Sequence, residues 1–149
     1  MRNAEANLPN RKDVRHMLAN ALTGTLKSLQ VVYPNEPEIA QGQTPIGYLT
    51  SAGSSRVKFT AQGLSNVFYF ELHVLVLSSK EEEGYTVADS EDILDDIEKE
   101  VAVFIANNDS RDGLWLVLEQ EEASNARTAV IENGEKYIQE ITTLKVRAV

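Results

Sequence analysis

Val67 to Leu77, VFYFELHVLVL, is hydrophobic at every position except Glu71 and His73. It is aromatic, β-branched or leucine at nearly every position, without glycine or proline, which predicts a long central strand. Alternation sets Phe68, Phe70, Leu72, Val74 and Val76 on one face, and Val67, Tyr69, Glu71, His73, Leu75 and Leu77 on the other. Both faces call for cover. Around this strand the pattern predicts two helices. Val14, Met17, Leu18, Ala21, Leu22, Thr25 and Leu29 recur at helical spacing, which predicts a helix over Arg11–Ser28 with Asn10 as N-cap. Leu94, Ile97, Val101 and Phe104 predict a second helix, capped by Asp89 or Ser90 and ending near Asn107.

The remaining pattern is that of short strands and turns. Gln30 to Tyr33 reads as a short strand ended by Pro34. Ile46–Thr50 and Arg56–Thr60 read as two strands, with SAGSS between them as a hairpin connection. Pro34 to Gly47 has few apolar anchors and reads as a long loop, a length at which loops are often functional. LWLVL at 114–118 is a strand apolar on both faces, followed by a polar loop, Glu119–Asn125. Thr128–Ile131 and Tyr137–Arg147 pair around Asn133-Gly134, a two-residue hairpin signal. Helix, strands, helix, strands is an α+β order: a mostly antiparallel sheet with two helices packed on one face. Residues 1–9 are expected to be a flexible tail and 10–149 a single domain. Two helices cannot cover both sides of the sheet, so the second apolar face points to a partner subunit.

Composition narrows the chemistry. The 149 residues include no cysteine, which excludes disulfides and thiolate metal sites. With 23 acidic and 14 basic residues the formal charge is −9, unfavourable for tight duplex DNA binding. No apolar run is long enough for a membrane helix, and MRNAEANLPN lacks a signal-peptide core. The acidic group Asp89, Glu91, Asp92, Asp95, Asp96, Glu98 and Glu100 spreads around a helix and lacks the glycine and terminal glutamate of a calcium loop, so it reads as a solvated face. His16 and His73 have no partners at metal-ligand or triad spacing. Arg11, Lys12, Arg15 and His16 form the polar side of the first helix. Neither a nucleophile elbow nor a glycine-rich phosphate loop is present. No catalytic residue, metal site or cofactor is expected. Trp115 is open between core and interface.

The element order is similar to that of a known family. A helix leads to VVYPNEP and a TPIGYLT strand; then come the long apolar strand, DSEDILDDIEKEVAVFI, LWLVL, and a closing strand after a glycine turn. This resembles the tail terminator (tail completion) proteins of long-tailed bacteriophages, over roughly Arg11 to Val149, by pattern and order without a residue-specific motif. The resemblance implies an α+β subunit of a hexameric ring at the head-proximal end of the tail in the virion, assembled in the host cytoplasm. The ring caps the tail tube protein, meets a head–tail connector protein, and lets DNA pass without binding it tightly; no membrane is involved. On that reading Tyr69, Leu75, Leu77, Trp115 and Val117 are candidates for the subunit interface. The two long loops, through Asn35, Glu36, Glu38 and Gln41 and through Glu121 and Glu122, are candidates for contacts to tube or connector. The loops are expected to be mobile until assembly orders them. Two alternatives remain: another neck protein, such as a head-closure or adaptor subunit, or a small α+β ligand-binding or enzymatic domain with Glu71 and His73 in a pocket.

Overall fold

The predicted central strand lies at the middle of the sheet. The computed structural model describes residues 8–40, 42–60, 63–78, 87–110, 115–132 and 134–148. Its elements are α1 (Arg11–Thr23), β1 (Val32–Tyr33), β2 (Ile46–Thr60), β3 (Gly63–Leu77), α2 (Val87–Asn107), β4 (Trp115–Gln120), β5 (Asn125–Glu132) and β6 (Glu135–Ala148). One six-stranded sheet has the order β1-β2-β3-β6-β4, and β5 also pairs with β6. Every pairing is antiparallel except β1 with β2. The fold is α+β with both helices on one face.

That face holds the larger core. Phe68, Phe70, Leu72, Val74 and Val76 of β3 meet Val14, Leu18 and Leu22 of α1 and Leu94, Ile97, Val101 and Phe104 of α2. The even-numbered face of the central strand therefore carries the residues expected of it. Helix α1 begins where Asn10 accepts the Lys12 N–H at 2.8 Å, one of the donors a helix start leaves unpaired. It ends five residues earlier than the spacing predicts, at Thr23, with Gly24 as C-cap and its N–H bonded to the Asn20 carbonyl at 3.2 Å. Leu26 and Leu29 still reach the core from the irregular segment beyond, which is why their spacing imitates another helical turn. A Cβ at Gly47 of β2 would lie 2.5 Å from Leu29 Cδ2, so the glycine admits that leucine. At the other helix, neither Asp89 nor Ser90 is the cap: α2 already starts at Val87. Ser90 is instead fully buried, its hydroxyl donating to the carbonyls of Leu77 and Ser78 at 2.7 Å each, which fastens α2 to the end of β3.

Two strand expectations need correction. SAGSS is not a hairpin: β2 is one 15-residue strand that pairs with β3 from Ile46↔Leu75 to Thr60↔Gly63. The small residues are accommodated by a bulge, since Ser51 opposes Phe70 while Gly53 opposes Tyr69, leaving Ala52 as the extra residue. At β4, strict alternation fails as well. Trp115 opposes Ala148 and Val117 opposes Arg147, so Leu116 is bulged out and Trp115 and Leu118 both turn to the helices. Strands β4 and β5 follow one another along the far side of β6, interrupted at 121–124, where the Glu121 N–H still reaches the Thr143 carbonyl at 2.9 Å. The closing hairpin brings Glu132 opposite Glu135 with Gly134 at φ 77°, as a two-residue turn requires.

Candidate functional site

The second sheet face was expected to be apolar and bare. The chain covers its apolar half itself. Ile46, Tyr48, Leu75, Leu77 and Tyr137 form a second buried cluster, closed by Ile39 from the segment between β1 and β2. That segment is anchored at several points. The Leu77 N–H donates to Thr44 Oγ1 at 2.9 Å, the Tyr137 hydroxyl donates to the Gln43 carbonyl at 3.0 Å, and the Gly42 N–H donates to Glu135 at 3.1 Å. Arg15 of α1 holds its start, donating to the Pro34 carbonyl at 2.6 Å, Ser51 at 2.7 Å and Asn35 at 3.2 Å. The stretch expected to lack anchors therefore supplies the missing layer. The half of this face left open is polar. Tyr69, Glu71, Thr143 and Lys145 are half-buried there, and Lys145 pairs with Glu119 of β4 at 3.5 Å.

His73 sits where the two halves meet. Its ring stacks on Tyr48, centroids 4.6 Å apart and planes 7° from parallel. Gln139 of β6 donates to Nδ1 at 3.0 Å, which leaves Nε2 as the N–H that reaches Thr50 Oγ1 of β2 at 3.1 Å. Burial pushes the His73 pKa below its ordinary value, against the pull of Glu71 and Glu36. Burial also raises the Tyr48 hydroxyl to about 12, helped by Glu36, Glu132 and Glu71. A neutral imidazole with both nitrogens engaged has neither a lone pair nor a proton to offer a substrate. His73 clasps β2, β3 and β6 together, and the arrangement does not favour a pocket built on Glu71 and His73.

The expected interface residues divide. Leu75 and Leu77 are buried beneath the segment carrying Ile39, and Trp115 is 0% exposed against the helices, so none of the three offers a surface to a neighbour. The physical reason is intrachain cover at the first two and the β4 bulge at the third. Val117 is exposed at 36% and Tyr69 is half-buried. Of the expected contact residues, Asn35, Glu36, Glu38, Glu121 and Glu122 are exposed, and Gln41 lies outside the described residues. Among the acidic residues of α2, Asp92, Asp95, Asp96 and Glu98 are exposed. Glu100 turns inward to the segment after α1, where its carboxylate accepts the backbone N–H groups of Lys27 at 2.6 Å and Ser28 at 2.8 Å. Of the basic residues on α1, Arg15 is bonded as above and Arg11 bonds Ser54 at 3.3 Å; Arg56 of β2 reaches the Pro9 carbonyl at 2.9 Å and Asn66 at 2.6 Å. Among the described residues no three His, Asp or Glu side chains converge as a metal site, and no helix is long and apolar enough to cross a membrane.

Features absent from the sequence reading lie at the margins of the sheet. A groove of about 370 Å³ runs beside β1, lined by residues including Lys27, Gln30, Val31, Tyr33, Gln43 and Thr44. Val31 there is 42% exposed, and across the sheet Leu116 is 51% and Ile131 74% exposed. Edge position is the signal that would have found them, and it requires the strand order, which hydrophobic pattern alone does not contain. No family model matches the chain, and no curated protein sequence matches it.

Proposed function

We propose that this protein is a virion assembly subunit, a tail terminator that forms a ring on the end of the tail tube and presents the joining surface to the head connector. The observation that carries the reading is the sheet's pair of unlike margins. Among the described strands, β1 pairs only with β2 on one side, while β4 and β5 pair only with β6 on the other. A subunit whose two opposite margins differ is suited to a heterologous contact, one patch meeting a different patch, and such contacts close into rings when the rotation allows. The apolar half of the second face is not a contact surface, since the chain covers it. The resemblance in element order supplies the particular ring. Partners on this reading are further copies of the chain, the tube protein and the connector protein, with DNA passing through unbound; the formal charge of −9 suits that passage. The loops carrying Glu36 and Glu38, and Glu121 and Glu122, are the axial contacts.

The test is genetic and visual. Phage lacking the protein should make tails of aberrant length that do not join heads, and added protein should restore joining. Normal, joined tails in its absence would end the terminator reading and leave an α+β interaction domain.

A further inference from the structure

We propose that Glu140 is a proton-controlled latch: protonated, it lets the segment 121–124 close against β6 beside α2, and ionised, it loosens that segment. The latch belongs to the free subunit; only its use, through Glu121 and Glu122, rests on the ring reading above.

The register leaves this segment slack. Gln120 opposes Leu144 and Asn125 opposes Ile141, so the four residues 121–124 stand against two, Thr142 and Thr143 of β6. The segment therefore has room to move while β4 and β5 stay paired on either side of it. Three bonds hold it among the described residues. The Glu121 N–H donates to the Thr143 carbonyl at 2.9 Å, the Gln120 side chain donates to the Glu122 carbonyl at 2.7 Å, and the Ser124 hydroxyl donates to Glu140. Of these, the Ser124 bond alone reaches the layer between the sheet and the helices.

That bond ends on a buried carboxyl. Glu140 is 5% exposed. Leu72 and Val74 of β3 and Leu94, Ile97 and Val101 of α2 line the gap that it enters, which is about 10 Å³, room for about one water. The charged groups that act on it from α2 are Glu98 and Asp95, both carboxylates. Its same-face neighbours on β3 and β6, Leu72, Val74, Ile138 and Thr142, are uncharged, and Glu121 and Glu122 of the segment are exposed. Among the described residues no lysine or arginine pairs with it. Ionisation here is opposed by lost hydration and by repulsion from α2. One hydroxyl donor offsets part of this, and the balance leaves the folded pKa above its ordinary 4.5. The neutral acid lacks the penalty and still bonds Ser124, because it carries a donor as well as acceptors.

The ionised carboxyl reaches water if α2 lifts or if the segment swings away. Helix α2 is fastened by Leu94, Ile97, Val101 and Phe104 in the core and by Ser90 to the end of β3. The segment has slack and three bonds, so it yields first. Closure is full below 4.5 and weakens as the pH rises through the folded value. Exposed Glu121 and Glu122 travel with the segment, so the proposed axial contact is set in acid and freer above that window.

Amide hydrogen exchange on the free subunit reads the latch. Corrected for the intrinsic rate, protection of the Glu121 amide should fall by about tenfold per pH unit between 4.5 and the folded value, then level off. Glu140→Gln should keep the acid level of protection throughout. NMR titration of the Glu140 side-chain carboxyl carbon in the wild type gives the folded value without any substitution, and a midpoint at or below 4.5 would overturn the proposal. Protection that ignores pH in the wild type, or that falls equally in Glu140→Gln, would overturn it too. Phage tails that join normally without the protein would end the ring reading and leave the exchange result standing.

Discussion

Glu100 of α2 and Ser28 of the segment after α1 are joined twice: the Ser28 N–H donates to the carboxylate at 2.8 Å, and the Ser28 hydroxyl donates to its other oxygen. The Lys27 N–H adds a third bond at 2.6 Å, so one side chain satisfies two backbone donors of the irregular segment after α1 and ties that segment to α2. Burial pushes the Glu100 pKa up, but the bonds from Ser28 and Lys27 outweigh it and hold the carboxyl below its ordinary 4.5. A depressed carboxyl contributes stability above the unfolded value, lost as the pH falls through the folded one. Glu100→Ala should cost about 1–3 kcal/mol at neutral pH, because it strands those donors. Denaturant unfolding should show the gap narrowing in acid below the ordinary glutamate range.

Glu140 should behave in the opposite sense. It lies on the helix face of β6 at 5% exposure, beside Leu94, Ile97 and Val101 of α2, with the Ser124 hydroxyl as hydrogen-bond donor. Burial raises its pKa, the Ser124 bond opposes this, and Glu98 and Asp95 raise it further. A raised carboxyl stabilises fully below the unfolded value near 4.5 and loses that contribution as the pH climbs through the folded value. At neutral pH a charge is being held in an apolar gap. Glu140→Gln keeps a bond to Ser124 without the charge, so its melting temperature should exceed that of the wild type at neutral pH and match it in acid.

His73 predicts a pH dependence at higher values. Its folded pKa is lowered, chiefly by burial, so the folded state resists taking the proton that the unfolded chain accepts near 6.5. Stability should be full above 6.5 and fall as the pH drops from there towards the lowered folded value. Protonation also replaces the acceptor at Nδ1 by a donor, opposing the Gln139 amide. His73→Gln should flatten this part of the stability profile, read from thermal melts across the range. A wild-type profile already flat there would count against the neutral clasp.

The elements legible in the sequence are those where one periodicity dominates. Val67–Leu77, the Leu94–Phe104 stripe and the turn that carries Gly134 between β5 and β6 each involve a single local rule, and each has its expected place in the fold. The failures come from tertiary contacts. SAGSS carries turn residues, yet pairing with β3 along its length keeps it extended. The segment from 34 to 45 seemed bare because Ile39 is one isoleucine among polar neighbours; only the fold brings it over Leu75 and Leu77. The margins that carry the candidate interface were not legible at all. Ile131 is an ordinary strand residue by type, and only strand order makes it an edge residue.

Trp115 decides between two accounts of the same aromatic. Its ring is fully buried, 6.5 Å from Phe104 at an edge-on 62°, and its indole N–H donates to the Asn108 carbonyl at 2.6 Å. The bulge at Leu116 sets this orientation, and with it Trp115 ties the start of β4 to the end of α2. Trp115→Ala should therefore act on folding: about 3–5 kcal/mol from lost burial, the cavity and a stranded carbonyl, lowering the melting temperature by about 10 °C or more. Trp115→Phe retains most of the ring and should cost about 1–3 kcal/mol. Val117→Asp, by contrast, changes a surface residue on the same strand and should leave the melt nearly unchanged. Circular dichroism melts of the three variants at equal concentration, with light scattering alongside, separate the effects. If Trp115→Ala kept the wild-type melt and lost only assembly, the core placement of this side chain would be wrong and its role as an interface anchor restored.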